Sequence, residues 1–151
     1  MELGKKEDVL AKVKDELKDK FEGHYAKGDH RLYLNVKKEA IRNCIRLLFE
    51  SMKARLSTIS AVDLGDRFEV VYHLTFDEFN LVVNVKCSTP KIEAKIDSVT
   101  GIVEGASWIE REIKDLFGIE FVGHPNPERL ILPDEWPGDW TGGEYPLRKR
   151  R

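Results

Sequence analysis

The 151-residue chain has no glutamine, two cysteines and two methionines, against 25 basic and 27 acidic residues. A charge-rich composition poor in amides is a thermophile tendency, and a thermophilic origin is the expectation. Cys44 and Cys87 stand far apart without a CxxC, so no disulfide framework or CxxC-type iron–sulfur or zinc site is implied. A reducing compartment follows. No run approaches the roughly 18 apolar residues that span a bilayer. The N-terminal MELGKKEDVLAKVKDELKDK has no apolar signal region either, and a soluble chain is expected. The formal net charge of −2 lacks the basic excess of a nucleic-acid binder working by bulk electrostatics.

Catalytic signatures are missing as well. There is no GxGxxG, P-loop or GxSxG, and no nucleophile with a recognisable partner. His24, His30, His73 and His124 are not spaced as in HExxH or with cysteines as in zinc sites. A His24–His30 metal site would need a third ligand from elsewhere. No cofactor and no metal are expected.

What is present is one domain's length of patterned chain. Val9, Val13, Leu17 and Phe21 repeat every fourth position, which predicts an amphipathic helix over Glu7–Phe21. Asp8–Lys12 and Glu16–Lys20 are acid-first pairs that support it. Residues 23–29 are expected as a loop. Leu32, Leu34 and Val36 alternate with Arg31, Tyr33 and Asn35, the pattern of a half-buried strand. A second helix, Lys38–Lys53, carries Ile41, Cys44, Ile45, Leu48 and Met52 on one stripe, where Cys44 reads as a small core residue. From Ser57 the period falls to two. Strands are predicted over Thr58–Leu64, Arg67–Phe76 and Asn80–Ser88, with turns at Gly65-Asp66 and Phe76–Phe79. Short connections make these neighbours antiparallel, and Lys91–Ile96 reads as a short extended piece. The fold class is α+β, with helices on one face of a mostly antiparallel sheet.

The chain's most informative stretch is ASWIEREIKDLFGIEFVGHPNPER, Ala106 to Arg129. Ser107 with Glu110 reads as a capping box, and Gly118 as the left-handed residue that closes a helix. Ile109, Ile113, Leu116 and Phe117 share one stripe; Trp108, Arg111, Glu112 and Asp115 gather on a neighbouring one. Glu110 and Glu112 point about 200° apart on a helix, so they cannot serve one substrate atom. They read as a cap and an interface charge. A tryptophan on a charged stripe is a good interface anchor. His124 is either a buried polar anchor or the partner of an acid on another subunit. Beyond Gly118 prolines and glycines forbid a continuous helix or central strand, yet Leu130, Ile131, Leu132, Trp136, Trp140, Tyr145 and Leu147 are too apolar for a solvated segment. The expected division is an α+β domain over 1–120 and an extended strap over 121–151. From about Trp136 onward the strap is expected to be ordered by a partner.

The motif ERE-x2-D-LF-GI-x-F-x-GHP, Glu110 to Pro125, closely resembles the signature of the respiratory complex I 30 kDa subunit. The related small subunit of membrane-bound [NiFe] hydrogenases carries it too. SVTGIVEGASW (Ser98–Trp108), ERLILPDEW (Glu128–Trp136), PLRK (Pro146–Lys149) and SAVD (Ser60–Asp63) extend the resemblance over roughly the C-terminal 90 residues. PGDWTGGEY, before PLRK, departs from the family pattern. The resemblance implies a non-catalytic assembly subunit in the cytoplasmic arm of an ion-translocating redox complex, of hydrogenase or NADH:quinone oxidoreductase type. It also implies peripheral attachment to the cell membrane through that complex. The partners would be the catalytic large subunit and the small cluster-bearing subunit. The interface residues expected are Trp108, Arg111, Glu112, Asp115, His124, Arg129, Trp136, Arg148 and Lys149. Two other readings remain open: a free-standing small-substrate enzyme using His124 and nearby acids, or a nucleic-acid module using the basic C-terminal tail.

Overall fold

The computed structural model describes residues 5–136 and 145–148. Helix α1 (Lys5–Leu17) buries Val9, Val13 and Leu17, the every-fourth-residue stripe that the pattern predicted. It stops one turn sooner than expected. A short 3-10 turn at Lys18–Lys20 follows, and Phe21 then opens strand β1 (Phe21–Lys27). The segment expected as a loop is therefore mostly an edge strand. It pairs antiparallel with β2 (Arg31–Val36), Tyr25 opposite Tyr33 and Lys27 opposite Arg31. Its side chains are mostly exposed, so the backbone ladder stabilises it and no apolar alternation announces it.

Lys38 to Ser51 is helical throughout: a 3-10 turn, helix α2 (Ile41–Arg46) and a π turn at Leu47–Ser51. Ile41, Cys44, Ile45 and Leu48 are all fully buried. Burial pushes the Cys44 thiol up to about 12 and does the same to Cys87, so both are inert core residues at neutral pH. Strands β3 (Arg55–Asp63), β4 (Arg67–Phe76) and β5 (Leu81–Pro90) form the predicted meander. The sheet order is β1-β2-β5-β4-β3. Every pairing is antiparallel except β2 with β5, because the α2 helical segment carries the chain across before the meander returns to β2. Leu34, Val85, Tyr72 and Ile59 make one buried row across four strands. The opposite face carries Tyr33, Asn84, His73 and Thr58 in register. The protein is an α+β domain with a mostly antiparallel five-stranded sheet.

A second, two-stranded parallel sheet joins β6 (Lys95–Asp97) to β7 (Glu120–Val122), Ile96 opposite Phe121. β7 crosses the expected boundary at residue 120, since Phe121 is buried in the core. Helix α3 (Ala106–Phe117) runs between these two strands and lies against the main sheet. Phe117 meets Phe68 of β4 edge to face, centroids 5.9 Å apart. Phe117 is buried and Leu116 half-buried.

Candidate interface: the α3 helix and the strap it holds

The predicted capping box does not form. Gly105 occupies the N-cap position with no side-chain hydrogen bond, and helix α3 starts at Ala106. That start places Ser107 and Glu110 inside the helix, where neither can cap it. The Ser107 hydroxyl instead lies 3.3 Å from His124 Nε2. Glu110 turns inward with no exposed surface. Its Oε1 accepts from the Val99 amide at 2.8 Å and the Ser98 hydroxyl at 3.2 Å. Burial raises its pKa to about 7, against those donors and Thr100, which favour the charge.

The polar stripe next to the apolar one grips the strap. Arg111 Nε donates to the Glu128 carbonyl at 2.9 Å and its Nη2 to the Arg129 carbonyl at 3.0 Å. Lys114 Nζ donates to the Pro127 carbonyl at 3.0 Å. Burial lowers the Lys114 pKa. Asp115 is fully buried. Its Oδ2 accepts from the amides of Leu130, Ile131 and Leu132, at 2.9, 2.7 and 3.1 Å. Proline lacks an amide proton, so a segment with Pro125, Pro127 and Pro133 cannot pair as a central strand. Helix side chains supply the partners that its backbone needs. Arg111 and Asp115 thus face inward to the strap, although both were expected at the outer interface.

His124 is engaged internally too. Its Nδ1 accepts from the Asn126 amide at 3.0 Å, which leaves the proton on Nε2 to be donated to the Ser107 carbonyl at 3.0 Å. The ring clips the end of β7 to the start of α3. Arg129 Nη1 donates to the Pro133 carbonyl at 3.3 Å, and Trp136 is half-buried. Lys149 lies outside the described residues, as do Trp140 and the intervening PGDWTGGE stretch.

The PLRK element corrects another expectation. Residues 145–148 do not wait for a partner; they pack on their own domain. The Leu147 amide donates to Leu116 O at 2.9 Å, and Arg148 Nε donates to Phe117 O at 3.0 Å. These are carbonyls that a helix end otherwise leaves unpaired. The Arg148 guanidinium lies 5.1 Å over the Phe68 ring and 4.8 Å over Tyr145, close enough for cation–π attraction. Sequence spacing could not show this, because 31 residues separate Arg148 from Phe117.

Gly118 is where the two segments touch. Its φ is +79°, and a Cβ there would stand 2.6 Å from the Tyr145 ring and 2.8 Å from Arg148 Nη2. Gly118→Ala is expected to destabilise by at least about 2 kcal/mol, since left-handed backbone alone costs an L residue roughly 1–2 kcal/mol. Thermal or urea melts of the full chain check this. A change within about 0.5 kcal/mol, the level of a surface site, would mean that residues 145–148 do not press on the helix end.

With Arg111, Lys114, Asp115 and His124 engaged, the outward residues of α3 are Trp108 and Glu112. Trp108 is 68% exposed, the first turn's large aromatic presented to solvent. Ile131 and Leu147, on the strap, are about half exposed. Among the described residues no group of His, Cys, Asp or Glu could hold a metal ion, and no helix is long and apolar enough to cross a membrane.

Similarity to known proteins follows the same segments. The family described as "Respiratory-chain NADH dehydrogenase, 30 Kd subunit" matches residues 34–151. The NADH-quinone oxidoreductase C subunit of Citrifermentans bemidjiense is 38% identical over 119 residues, 76% of this chain and 74% of the relative. The C/D subunit of the same kind of oxidoreductase from Methylococcus capsulatus is 43% identical over 82 residues, 54% of this chain but 13% of that one. Two solved structures share the architecture. A trypsin-resistant fragment (1-134) of Nqo5 aligns with a TM-score of 0.65 at 25% identity, over 80% of this chain and 97% of that one. A chain from a membrane-bound sulfane sulfur reductase, an archaeal respiratory membrane complex, aligns with a TM-score of 0.72 at 26% identity, over 94% and 82%. Sequence, signature helix and sheet together place this chain in the family of the 30 kDa subunit of respiratory-chain NADH dehydrogenase.

Proposed function

We propose that this protein is a non-catalytic assembly subunit of a complex I-like, ion-translocating redox complex, docked on the catalytic large subunit in the cytoplasmic arm. The observation that carries the reading is the division of labour on α3. Arg111, Lys114 and Asp115 are spent on the protein's own strap, while Trp108 is left 68% exposed on the rigid element so formed. An exposed tryptophan on a braced helix is the kind of anchor that dominates interface energetics. His124, the residue an enzyme reading would use, has both ring nitrogens engaged in internal hydrogen bonds. The C/D relative, of which the matched region is 13%, supports a large-subunit neighbour, because its name joins the two subunits in one chain. The cluster-bearing small subunit would be the second partner. The reading covers hydrogenase-type and NADH-type complexes alike, and the likeness to a sulfane sulfur reductase chain supports an archaeal respiratory setting.

The test is co-purification with the large subunit. Trp108→Ala is expected to weaken association by about 30-fold, the loss from a hot spot of about 2 kcal/mol. The isolated chain should melt within about 0.5 kcal/mol of the parent, because the side chain is exposed. Undiminished co-purification would remove α3 from the interface.

A further inference from the structure

Among the described residues, four buried side-chain oxygens have no hydrogen-bond partner: Tyr72 Oη, Thr100 Oγ1, Glu110 Oε2 and Asp115 Oδ1. Buried polar atoms are rarely left so. Thr100 and Glu110 belong to one place. The Val99 and Ser98 donors bind Glu110 Oε1, and Thr100 is the next residue of that turn, its amide donating to Ser98 Oγ at 3.1 Å. Tyr72, on the inner face of β4, is fully buried and sits within the field of the Glu110 carboxyl. The buried carboxyl group thus has one oxygen satisfied by two donors and another with none. A charged carboxylate needs donors at both oxygens, and an ionised group buried without them is costly. A neutral acid does not: its Oε1 remains the accepting carbonyl, and its Oε2 carries the proton without a charge to solvate.

We propose that Glu110 is a buried proton-binding site, carrying its proton on Oε2 as a neutral carboxylic acid. The groups that meet it are Ser98, Val99 and Thr100 from the turn before α3, and Tyr72 of β4 lies within its electrostatic reach. On the strap side, Arg111 and Lys114 from its own helix and His124 line a small cavity with it. No cation donates a hydrogen bond to Glu110 among the described residues, so nothing there replaces the proton as its partner. The sign follows from linkage. The folded carboxyl holds its proton to about pH 7 where the unfolded one releases it near 4.5. The folded chain therefore binds more protons across that window, and stability falls as pH rises through it, then levels off.

The experiment uses the full chain, labelled with carbon-13 at glutamate carboxyls and titrated by NMR, beside infrared spectra at pH 6. One glutamate is expected to ionise near neutral pH, with a protonated-acid carbonyl band that Glu110→Gln removes. Melts between pH 5 and 8 should show a decline for the parent that Glu110→Gln lacks. If every glutamate ionises in the ordinary range, or if Glu110→Gln leaves a near-neutral glutamate titration in place, Glu110 is not a proton site. The NMR titration of the parent decides the matter even should Glu110→Gln fail to fold.

Discussion

Asp115→Ala is expected to detach the strap from α3 and to cost about 3 kcal/mol of stability. The carboxylate Oδ2 holds three consecutive amides, Leu130 to Leu132, at 2.7 to 3.1 Å. A hydrogen bond to a charged group contributes about 1.5–3 kcal/mol each, so a simple sum would exceed that figure. The discount is physical: Ile131 is half exposed, and amides released near the surface exchange the carboxylate for water. Asp115→Asn should cost less, because an amide oxygen still accepts but without charge. Limited proteolysis gives the second reading. Cleavage after Arg129 should accelerate in Asp115→Ala, since Asp115 and Arg111 hold the peptide groups on either side of that bond. A parent-like melt together with parent-like cleavage would show that the strap is held by something other than this carboxylate.

The second large effect is at the helix end. Phe117→Ala should lower stability by roughly 3–5 kcal/mol, the usual range for deleting a buried aromatic side chain. The ring is 7% exposed and meets Phe68 edge to face, a geometry worth about 0.5–1.5 kcal/mol beyond burial. Arg148 packs over Phe68 as well, so the cavity would also loosen the seat of residues 145–148. Urea unfolding should show a lower midpoint with an unchanged slope. A loss under about 1 kcal/mol would mean that α3 does not rest on β4 through this ring.

The signature stretch shows which inferences survive from sequence to structure. Of the stripe Ile109, Ile113, Leu116 and Phe117, Ile113 and Phe117 are buried and Ile109 and Leu116 half-buried against the core, because helical period decides which side chains share a side. Gly118 as the left-handed terminator is also confirmed, with φ of +79°. Ser107 and Glu110 mislead for a definable reason: a capping box is a statement about two or three backbone donors, and the helix starts two residues too early for it. The stripe of Trp108, Arg111, Glu112 and Asp115 looked like one surface. The strap divides it, covering Asp115 and engaging Arg111 while Trp108 and Glu112 remain outside.

The same division runs through the whole chain. Local pattern was enough for the helical stripes, for β4 residue by residue, and for the α+β class, since each depends only on neighbours within a few positions. The family was legible too, because its signature is contiguous. Tertiary structure alone decided three things. It made residues 21–27 an edge strand, which needs β2 beside it and shows little apolar alternation of its own. It set β2 parallel to β5, a choice made by the crossover between them. And it brought Asp115 to the amides of residues 130–132, and Arg148 to Phe117, across 15 to 31 residues of chain. A strap rich in proline has no partner for its backbone within itself, so where it lies is determined by the side chains of the helix it meets.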